Sequence, residues 1–232
     1  MKKKDLFVLA GFILFLSPFF IFPDIFRGYE DLNKHHGMLM SFVKFALLAT
    51  FGETLGSRIR TGMYMPNGFG LIPRAIIWGL LGFTIKLSFD VFTGGTLNFL
   101  TKMGWNDAVD IFKTPGFTTG KLLIAFCIST FMNTIYAPVM MTIHKITDMH
   151  IAQHHGGISA LYSPVKVGEN MANMNWKVQW GFVFKRTIPL FWIPAHTITF
   201  MLPDEYRVLF AAALGIALGV IMAIASIKGN QK

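Results

Sequence analysis

Four charged side chains interrupt apolar stretches of this sequence, and their spacing indicates which of them can act together. Lys44 and Glu53 stand in one stretch, and Lys86 and Asp90 stand in another. A charge at the centre of a bilayer costs about 2.5–3.5 kcal/mol on insertion scales, so each needs a protein partner or water. Lys86 and Asp90, four residues apart, share a helix face, whereas Lys44 and Glu53, nine apart, do not. The pattern predicts a polar interior for these side chains to face.

Depth in the membrane divides the charged side chains into two groups. At the inner end, Glu53 is expected to lie near Arg58 or Arg74. The outer half holds a predicted cluster of three residues: Lys44, Lys86 and Asp90. These groups are either static ion pairs that join helices, with lysine stems reaching toward the interface, or the walls of a polar path. In the second case the two lysines outnumber the aspartate, so the path favours small anions.

Two uncharged polar residues extend the candidate pathway. Asn133 lies inside the fourth apolar stretch and must find a hydrogen-bond partner there. His196 lies in the fifth, two residues after Pro194, where a neutral imidazole can bond a carbonyl freed by proline or relay a proton. Pro138 and Pro189 also interrupt these stretches, either as simple kinks or as discontinuities that surround a transport site.

Histidines after the fourth apolar stretch have the type and spacing of metal ligands. His150 and His154 are four residues apart, and His155 and the His144/Asp148 pair are nearby. A hydrophilic loop is expected there, so we predict solvated histidines and no metal site. The sequence contains no Walker loop, nucleophile elbow or HExxH pattern. We therefore predict no catalytic residues, no cofactor and no enzyme activity.

Six apolar stretches recur along the chain, and most are long enough to cross a membrane, which takes about 20 helical residues. They occupy 6–22, 38–55, 72–92, 122–143, 187–202 and 208–227. With 53% apolar and 14% charged residues, the 232-residue chain has too little polar surface for a soluble globule. We predict an all-α fold in one integral membrane domain over 1–232, a polytopic transmembrane helical bundle of about six spans.

Basic residues are distributed unevenly between the two sides that these spans define. With the N-terminus inside, thirteen Lys and Arg side chains face the cytoplasm and six face outside. Because basic residues favour the cytoplasmic side, we predict cytoplasmic N- and C-termini and external loops over 24–37 and 93–120. The net charge of +9 then reflects topology, and no nucleic-acid partner is predicted.

The longest connection, 145–186, is predicted to lie inside. From Tyr162 onward its apolar residues recur near helical spacing. This pattern predicts a helix lying flat in the membrane interface, with Trp176 and Trp180 at headgroup level. A solvated connector helix is the alternative.

Two pairs of glycines have the spacing that favours close contact between helices. Gly52 and Gly56 form one pair, and Gly79 and Gly82 form the other. Because glycine has no side chain, such positions let two helix backbones approach closely. We predict helix packing at both pairs and no phosphate binding.

The C-terminal third contains residues in the order of a known family signature. They are Trp192, Pro194, Thr199, Phe200, Pro203 and Arg207. This order resembles the signature of the Mpv-seventeen and peroxisomal-membrane-protein-twenty-two family, with His196 in place of its Gln and Thr199 in place of its Asn. Arg207 opens the last helix, where the helix dipole disfavours a cation. We therefore expect a specific acceptor for it: Glu205, Asp204, a lipid phosphate or carbonyls near Pro203.

The resemblance implies a small integral membrane protein, because members of that family lie in organelle membranes and some are described as pores for small solutes. With no organelle targeting segment, the chain looks like a bacterial relative in the cytoplasmic membrane. We predict a pore or transporter for small metabolites, with anions favoured. The alternative is a non-transporting structural or assembly protein whose buried charges determine helix packing. The predicted partners are the lipid bilayer and small-molecule solutes, and the sequence leaves open whether the chain forms a homo-oligomer.

Overall fold

The computed structural model describes residues 3–229, with side-chain surroundings for all of these except 3, 9 and 221–229. The described residues form helices and connecting turns without a β-strand, so the all-α prediction is confirmed. The helices group into two compact units, Met1–Met40 and Ser41–Lys232. We call them the N-terminal unit and the main unit.

The N-terminal unit consists of α1 (Lys3–Ile21), α2 (Pro23–His35) and the first turn of α3 (Gly37–Thr61). The predicted loop over 24–37 is therefore mostly helix. Pro23 opens α2, Asp24 lies in its first turn, and Lys34 lies in its last turn. Proline suits the first helical position, and both charges suit the dipole at their ends.

The main unit contains the rest of α3 and the following elements. They are α4 (Leu71–Lys102), α5 (Ala108–Lys113), α6 (Thr119–Gln153), a short 3-10 turn (Ile158–Leu161), α7 (Val167–Ala172), α8 (Trp176–Val178), a π-helical segment (Gln179–Trp192), α9 (Ile193–Met201) and α10 (Asp204–Gly229). Because α8, the π-helical segment and α9 follow one another without a break, they form one continuous helix.

Within the part of the chain that the structure describes, four helices are long and apolar enough to cross a membrane. Their candidate spans are Lys4–Ile21, Gly37–Thr61, Leu71–Lys102 and Thr119–Gln153. The prediction of membrane helices is confirmed at this level. At a rise of about 1.5 Å per residue, α6 is about 52 Å long and exceeds the hydrocarbon thickness.

The helices extend further into the predicted loops than the apolar stretches do. Most of the predicted loop 93–120 is helix, because α4 continues to Lys102, α5 occupies Ala108–Lys113 and α6 begins at Thr119. The predicted loop 145–186 is shortened in the same way, since α6 continues to Gln153 and the next long helix begins at Trp176. Polar residues extend these helices, and hydrophobicity alone does not mark their ends.

The segment after Tyr162 differs from the single amphipathic helix that we predicted. It forms the short α7 and then enters the continuous helix at Trp176. Asn170, on α7, is fully buried. It accepts a hydrogen bond from Gln153 Nε2 at 2.7 Å. This buried contact joins α7 to the end of α6.

The predicted glycine contacts are confirmed. On α3, a Cβ at Gly52 would lie 2.8 Å from Ile216 Cα of α10, and on α10 a Cβ at Gly219 would lie 2.7 Å from the Gly52 carbonyl oxygen. A Cβ at Gly82 would lie 2.7 Å from the Ser41 carbonyl oxygen. These positions let α10 and α4 pack directly on the α3 backbone.

Candidate functional site

The main unit contains a partly open cavity of about 290 Å³ between its long helices. We call it the central cavity. Aromatic and aliphatic side chains from α3, α4, α6 and α10 form most of its wall, including Phe45, Trp78, Phe89 and Met132. A smaller number of polar side chains also line it: Glu53, Ser88, Asn133, Tyr136, His144, Lys145, Gln179, Thr187 and His196. An apolar cavity with a few polar groups is typical of small-molecule sites, whose volumes begin at about 300 Å³.

The structure brings three of the six predicted pathway residues to the central cavity: Glu53, Asn133 and His196. The other three lie outside the lining set. Lys86 Nζ donates to Asp90 at 2.6 Å, as their spacing predicted. That pair is open to the surroundings, because the Asp90 side chain is 59% exposed. Lys44 is buried in α3.

Asn133 and His196 join α6 to α9 at the wall of the central cavity. His196 Nδ1 lies 3.0 and 3.1 Å from the two terminal atoms of the Asn133 amide. The Asn133 amide nitrogen donates to the Ser129 carbonyl at 2.8 Å. The Trp192 indole stacks on the imidazole with ring centroids 5.1 Å apart. Asn133 therefore finds the partner it was expected to need.

At one end of the central cavity, five side chains form an ionic network. Arg74 Nη1 donates to Glu53 Oε2 and to Asp148 Oδ1, both at 2.5 Å. Trp78 Nε1 donates to Glu53 Oε1 at 2.8 Å, and His144 Nε2 lies 3.1 Å from the same oxygen. The expected pairing of Glu53 with Arg74 is confirmed, and the network joins α3, α4 and α6.

Glu53, His144 and Asp148 also offer ligand atoms within 4.8 Å of one another, as a metal site would. The Arg74 guanidinium contacts both carboxylates and already supplies the positive charge that they require. His144 and Asp148 were assigned to a hydrophilic loop, which is wrong because both lie on α6. The donor set fits an ion-pair network joining three helices.

His150 was predicted to be solvated, and this prediction is wrong. The side chain belongs to α6 and is 3% exposed. Its Nε2 lies 3.0 Å from the Ala160 carbonyl oxygen of the 3-10 turn. His150 therefore attaches the turn after α6 to the helix itself.

Two larger cavities lie at the ends of α6. The first, which we call the N-end vestibule, has a volume of about 620 Å³ and includes Lys121 and Arg207. The second, the C-end vestibule, also has a volume of about 620 Å³ and includes Arg60 and Asp148. Residues 132–145 of α6 line the central cavity. The three cavities therefore follow one another along a single helix.

Different kinds of barrier separate the central cavity from the two vestibules. Toward the N-end vestibule, a group of fully buried residues forms what we call the apolar plug: Ile124, Ala125, Ile128, Phe200 and Ala212. Toward the C-end vestibule, Glu53 and Lys145 line both cavities, so the ionic network lies at the partition. Apolar packing forms the barrier toward the N-end vestibule, and charge pairs form the barrier toward the C-end vestibule.

Arg207 has the specific acceptors that its position led us to expect. Its Nε donates to the Leu202 carbonyl at 2.9 Å, its Nη2 reaches the Phe200 carbonyl, and Nη1 pairs with Asp204. Its guanidinium carbon lies 5.0 Å from the centre of the Phe112 ring. Arg207 thereby holds the tight turn between α9 and α10 beside the apolar plug.

The other signature residues lie at the end of the π-helical segment, on α9 and in the turn that follows α9. Trp192 lines the central cavity, and Phe200 belongs to the apolar plug. Thr199 donates to the Ala195 carbonyl within α9. Pro194 begins α9, and Pro203 lies in the turn that lines the N-end vestibule.

The π-helical segment supplies cavity residues that the sequence analysis missed. Gln179, Val183, Thr187 and Trp192 all line the central cavity, and His196 of α9 continues the row. In an α-helix of about 100° per residue, Trp192 would lie about 140° round the axis from Gln179. In this segment hydrogen bonds reach five residues back, as from the Ile193 N–H to the Ile188 carbonyl. The wider turn keeps the row on one face, and such departures from α geometry are frequent at functional sites.

Comparisons of the chain with protein-family models, with curated proteins and with solved structures find no match.

Proposed function

We propose that the chain is an integral membrane pore or transporter for small metabolites, with anions favoured. The observation that carries this proposal is the central cavity of about 290 Å³. It lies between two barriers and in line with two vestibules. A protein that moves solutes needs such an internal site, and helical transporters place theirs between long helices.

The two barriers suggest how a solute could pass. Opening toward the C-end vestibule requires that Arg74 leave Glu53 or Asp148, which are its two carboxylate acceptors. Opening toward the N-end vestibule requires movement of α9 and α10 around Phe200. Because charge pairs and apolar contacts respond to different solutes, the barriers can open separately, as alternating access requires.

The membrane topology belongs to the same proposal. The continuous helix Trp176–Met201 and α10 supply the fifth and sixth spans, and α10, with 26 residues, is about 39 Å long at 1.5 Å per residue. Both termini and the C-end vestibule then lie on the cytoplasmic side, where basic residues are favoured. Trp176 and Trp180 are exposed, which suits the headgroup level of the membrane. We extend the proposal to membership of the Mpv-seventeen-like family, which the residues around Trp192 resemble, and to a place in a bacterial cytoplasmic membrane.

A structural or assembly role is the second candidate. It is favoured by the ionic network, in which Glu53, Arg74, His144 and Asp148 serve as one another's partners. Groups paired in this way can determine how α3, α4 and α6 pack without any solute. If the protein has a structural or assembly role, the central cavity stays closed to water-soluble reagents.

Cysteine accessibility separates the two candidates. In a Cys127→Ser background, Ala137→Cys places a thiol at the central cavity, and Ala125→Cys places one in the apolar plug of the same helix. A pore or transporter in membrane vesicles should expose Ala137→Cys to a membrane-impermeant maleimide and protect Ala125→Cys. Solute flux across proteoliposomes should exceed that of protein-free liposomes. Protection of both positions together with no flux would overturn the proposed function.

A further inference from the structure

A charged pair lies on the exposed face of α4. Lys86 Nζ donates to both carboxylate oxygens of Asp90 at 2.6 Å. The Lys86 and Asp90 side chains are 28% and 59% exposed, so the rest of the main unit leaves the pair open. Leu87 lies between them along the helix, Val91 follows Asp90, and both are more than half exposed. We call Lys86, Leu87, Asp90 and Val91 the α4 patch.

The α4 patch lies near the middle of a candidate membrane span. Lys86 is the sixteenth of the 32 residues of α4. Two residues before it, the Thr84 hydroxyl lies 2.6 Å from the Tyr136 hydroxyl, and Tyr136 is the central residue of α6. Along α4, Lys86 is about 18 Å from Arg74 of the ionic network, whereas half the hydrocarbon thickness is about 15 Å. The pair is therefore at a depth where an exposed charge is costly.

Lipid is a poor environment for this pair. Charged side chains within membrane spans face protein or water, because hydrocarbon solvates neither charges nor hydrogen-bonding groups. An ammonium has three donors and a carboxylate has about four acceptor sites, so pairing within one chain leaves both groups with further bonds to make. The exposed face at the middle of α6 differs, because Ile135, Val139 and Ile143 are apolar and suit lipid. The α4 patch requires a protein cover.

Neither Arg207 nor the N-terminal span supplies the charges that this cover needs. Arg207, whose positive charge also acts on Asp90, already bonds the Leu202 and Phe200 carbonyls and pairs with Asp204. The candidate span Lys4–Ile21 has charged residues only at its first two positions. In the rest of that span, Ser17 is the one polar side chain. The cover must bring a positive and a negative charge at matching heights.

A second copy of the chain brings both charges. Two copies inserted in the same orientation are related by a two-fold axis along the membrane normal, so their α4 patches face each other at the same height. Lys86 and Asp90 differ by about 6 Å along the helix, a distance that a lysine side chain spans to reach Asp90 of the partner subunit. The four charges sum to zero. Leu87 and Val91 of both copies add apolar contacts beside them.

We propose that the α4 patch is the interface of a homodimer in the membrane, in which Lys86 pairs with Asp90 of its own chain and with Asp90 of the partner subunit. This inference rests on the proposed function only in placing α4 across a membrane. It needs no solute and no movement of the two barriers.

Disulfide cross-linking in native membranes tests the interface. In a Cys127→Ser background, Leu87→Cys places a thiol in the α4 patch, and Ile135→Cys places one on the apolar face of α6 as the matched control. Both residues are aliphatic, exposed and next to the middle of their helices. With a membrane-permeable oxidant, Leu87→Cys should run at twice the chain mass on a non-reducing gel, and Ile135→Cys at the chain mass. Cross-linking of neither, or of both equally, would overturn the proposal.

Added bulk tests the same contact without a change of charge. Leu87→Trp and Ile135→Trp should both accumulate as folded protein, because both positions are exposed. Leu87→Trp should weaken dimerisation about tenfold or more, since the larger side chain separates the two α4 helices, and Ile135→Trp should dimerise as wild type does. Energy transfer between labelled copies in lipid vesicles measures both. Equal association of the two variants, or a wild-type protein that stays monomeric, would show that the proposal is wrong.

Complementary charge variants test the ion pairs between copies. Asp90→Lys gives a patch with two lysines, and Lys86→Asp gives one with two aspartates. Each should associate with itself about tenfold more weakly than wild type, whereas a mixture of the two should associate at least as tightly as wild type, because every charge then faces an opposite one. Equal self-association and mixed association would show that the charges do not meet across an interface. If neither variant accumulates, the comparison of Leu87→Trp with Ile135→Trp decides.

Flux measurements distinguish this proposal from the proposed function. Cross-linked dimers without flux of any tested solute would overturn transport and leave the interface standing. Flux through a protein that stays monomeric in vesicles would overturn the interface and leave transport standing. The cover of the α4 patch would then be the N-terminal unit or lipid.

Discussion

At the scale of single residues, Glu53 shows how a charge is accommodated on an apolar helix. Its two carboxylate oxygens contact Arg74, Trp78 and His144. Arg74 in turn contacts Asp148. Removing one partner from such a buried pair is costly because the other charge stays behind.

We therefore expect Arg74→Gln to lower the free energy of unfolding by about 3 kcal/mol, since two carboxylates lose their common cation. Because the network lies at the partition, the folded variant should also pass solutes faster than wild type. Thermal unfolding in detergent and flux per folded protein measure the two effects.

Arg60→Gln is the control for this variant, because it removes the same charge from an exposed side chain of the C-end vestibule. Its unfolding free energy should stay within about 0.5 kcal/mol of wild type. If Arg74→Gln and Arg60→Gln had the same unfolding free energy and the same solute flux, the network would contribute nothing to the partition.

At the scale of helices and their contacts, α3 and α10 pack with their backbones in direct contact. Gly52 and Gly56 of α3 lie against the backbone of α10 at Gly215 and Gly219. No side chain separates the two helices there, so dispersion contacts and close fit hold them together. Because Glu53 follows Gly52 directly, this contact also determines where the ionic network can form.

We expect Gly52→Ala to lower the unfolding free energy by about 1–3 kcal/mol, as overpacking of a close contact does. Its added Cβ would lie 2.8 Å from Ile216 Cα, and backbone cannot move aside as a flexible side chain can. The measurement is the thermal midpoint in detergent.

Gly94→Ala on α4 is the matched helical control, because a Cβ there has no neighbour within 4 Å among the described atoms. It should be neutral or stabilising by up to about 1 kcal/mol. A neutral Gly52→Ala would contradict the close contact.

The π-helical segment is the second feature at this scale. It brings Gln179 and Trp192 to one wall, and Pro189 lies within it. Proline removes one N–H from the helix and favours a local change of hydrogen bonding. From the sequence, this proline is either a simple kink or a discontinuity beside a transport site, and in the structure it lies inside the region where the helix widens.

At the scale of the whole molecule, the main unit consists of cavities and barriers arranged along α6. Lys121 belongs to the N-end vestibule, and Ala152 belongs to the C-end vestibule near the other end of the same helix. A membrane normal close to this helix would place the two vestibules on opposite sides. Because the turn between α9 and α10 lines the N-end vestibule with Lys121, it lies at the same end of the bundle as the start of α6, and the six-span topology places that end outside.

We expect Glu205→Cys, in a Cys127→Ser background, to react with a membrane-impermeant maleimide added to the outside of intact cells. Glu205 lies at the start of α10 just after this turn. Met103→Cys should also react from outside, and Met63→Cys should react only after the cells are opened. Both methionines are exposed, and the proposed topology places them on opposite sides of the membrane. Labelling of Glu205→Cys only in opened cells would contradict the six-span topology.

Several features of this protein could be predicted from sequence because they depend on local spacing. The all-α class and the long apolar helices follow from composition and stretch length. Lys86 meets Asp90 because four residues make about one helical turn. The glycine pairs find close contacts because small residues at that spacing leave a flat helix surface.

Other features required the tertiary structure, because they depend on where helices end and how their turns are wound. His144 and Asp148 joined the ionic network only because α6 continues past its apolar stretch. Gln179 and Trp192 share one wall only because the segment between them is π-helical, whereas an α-helical repeat separates them by about 140°. Helix ends and helix winding are decided by contacts between distant residues, and no periodicity within one segment records those contacts.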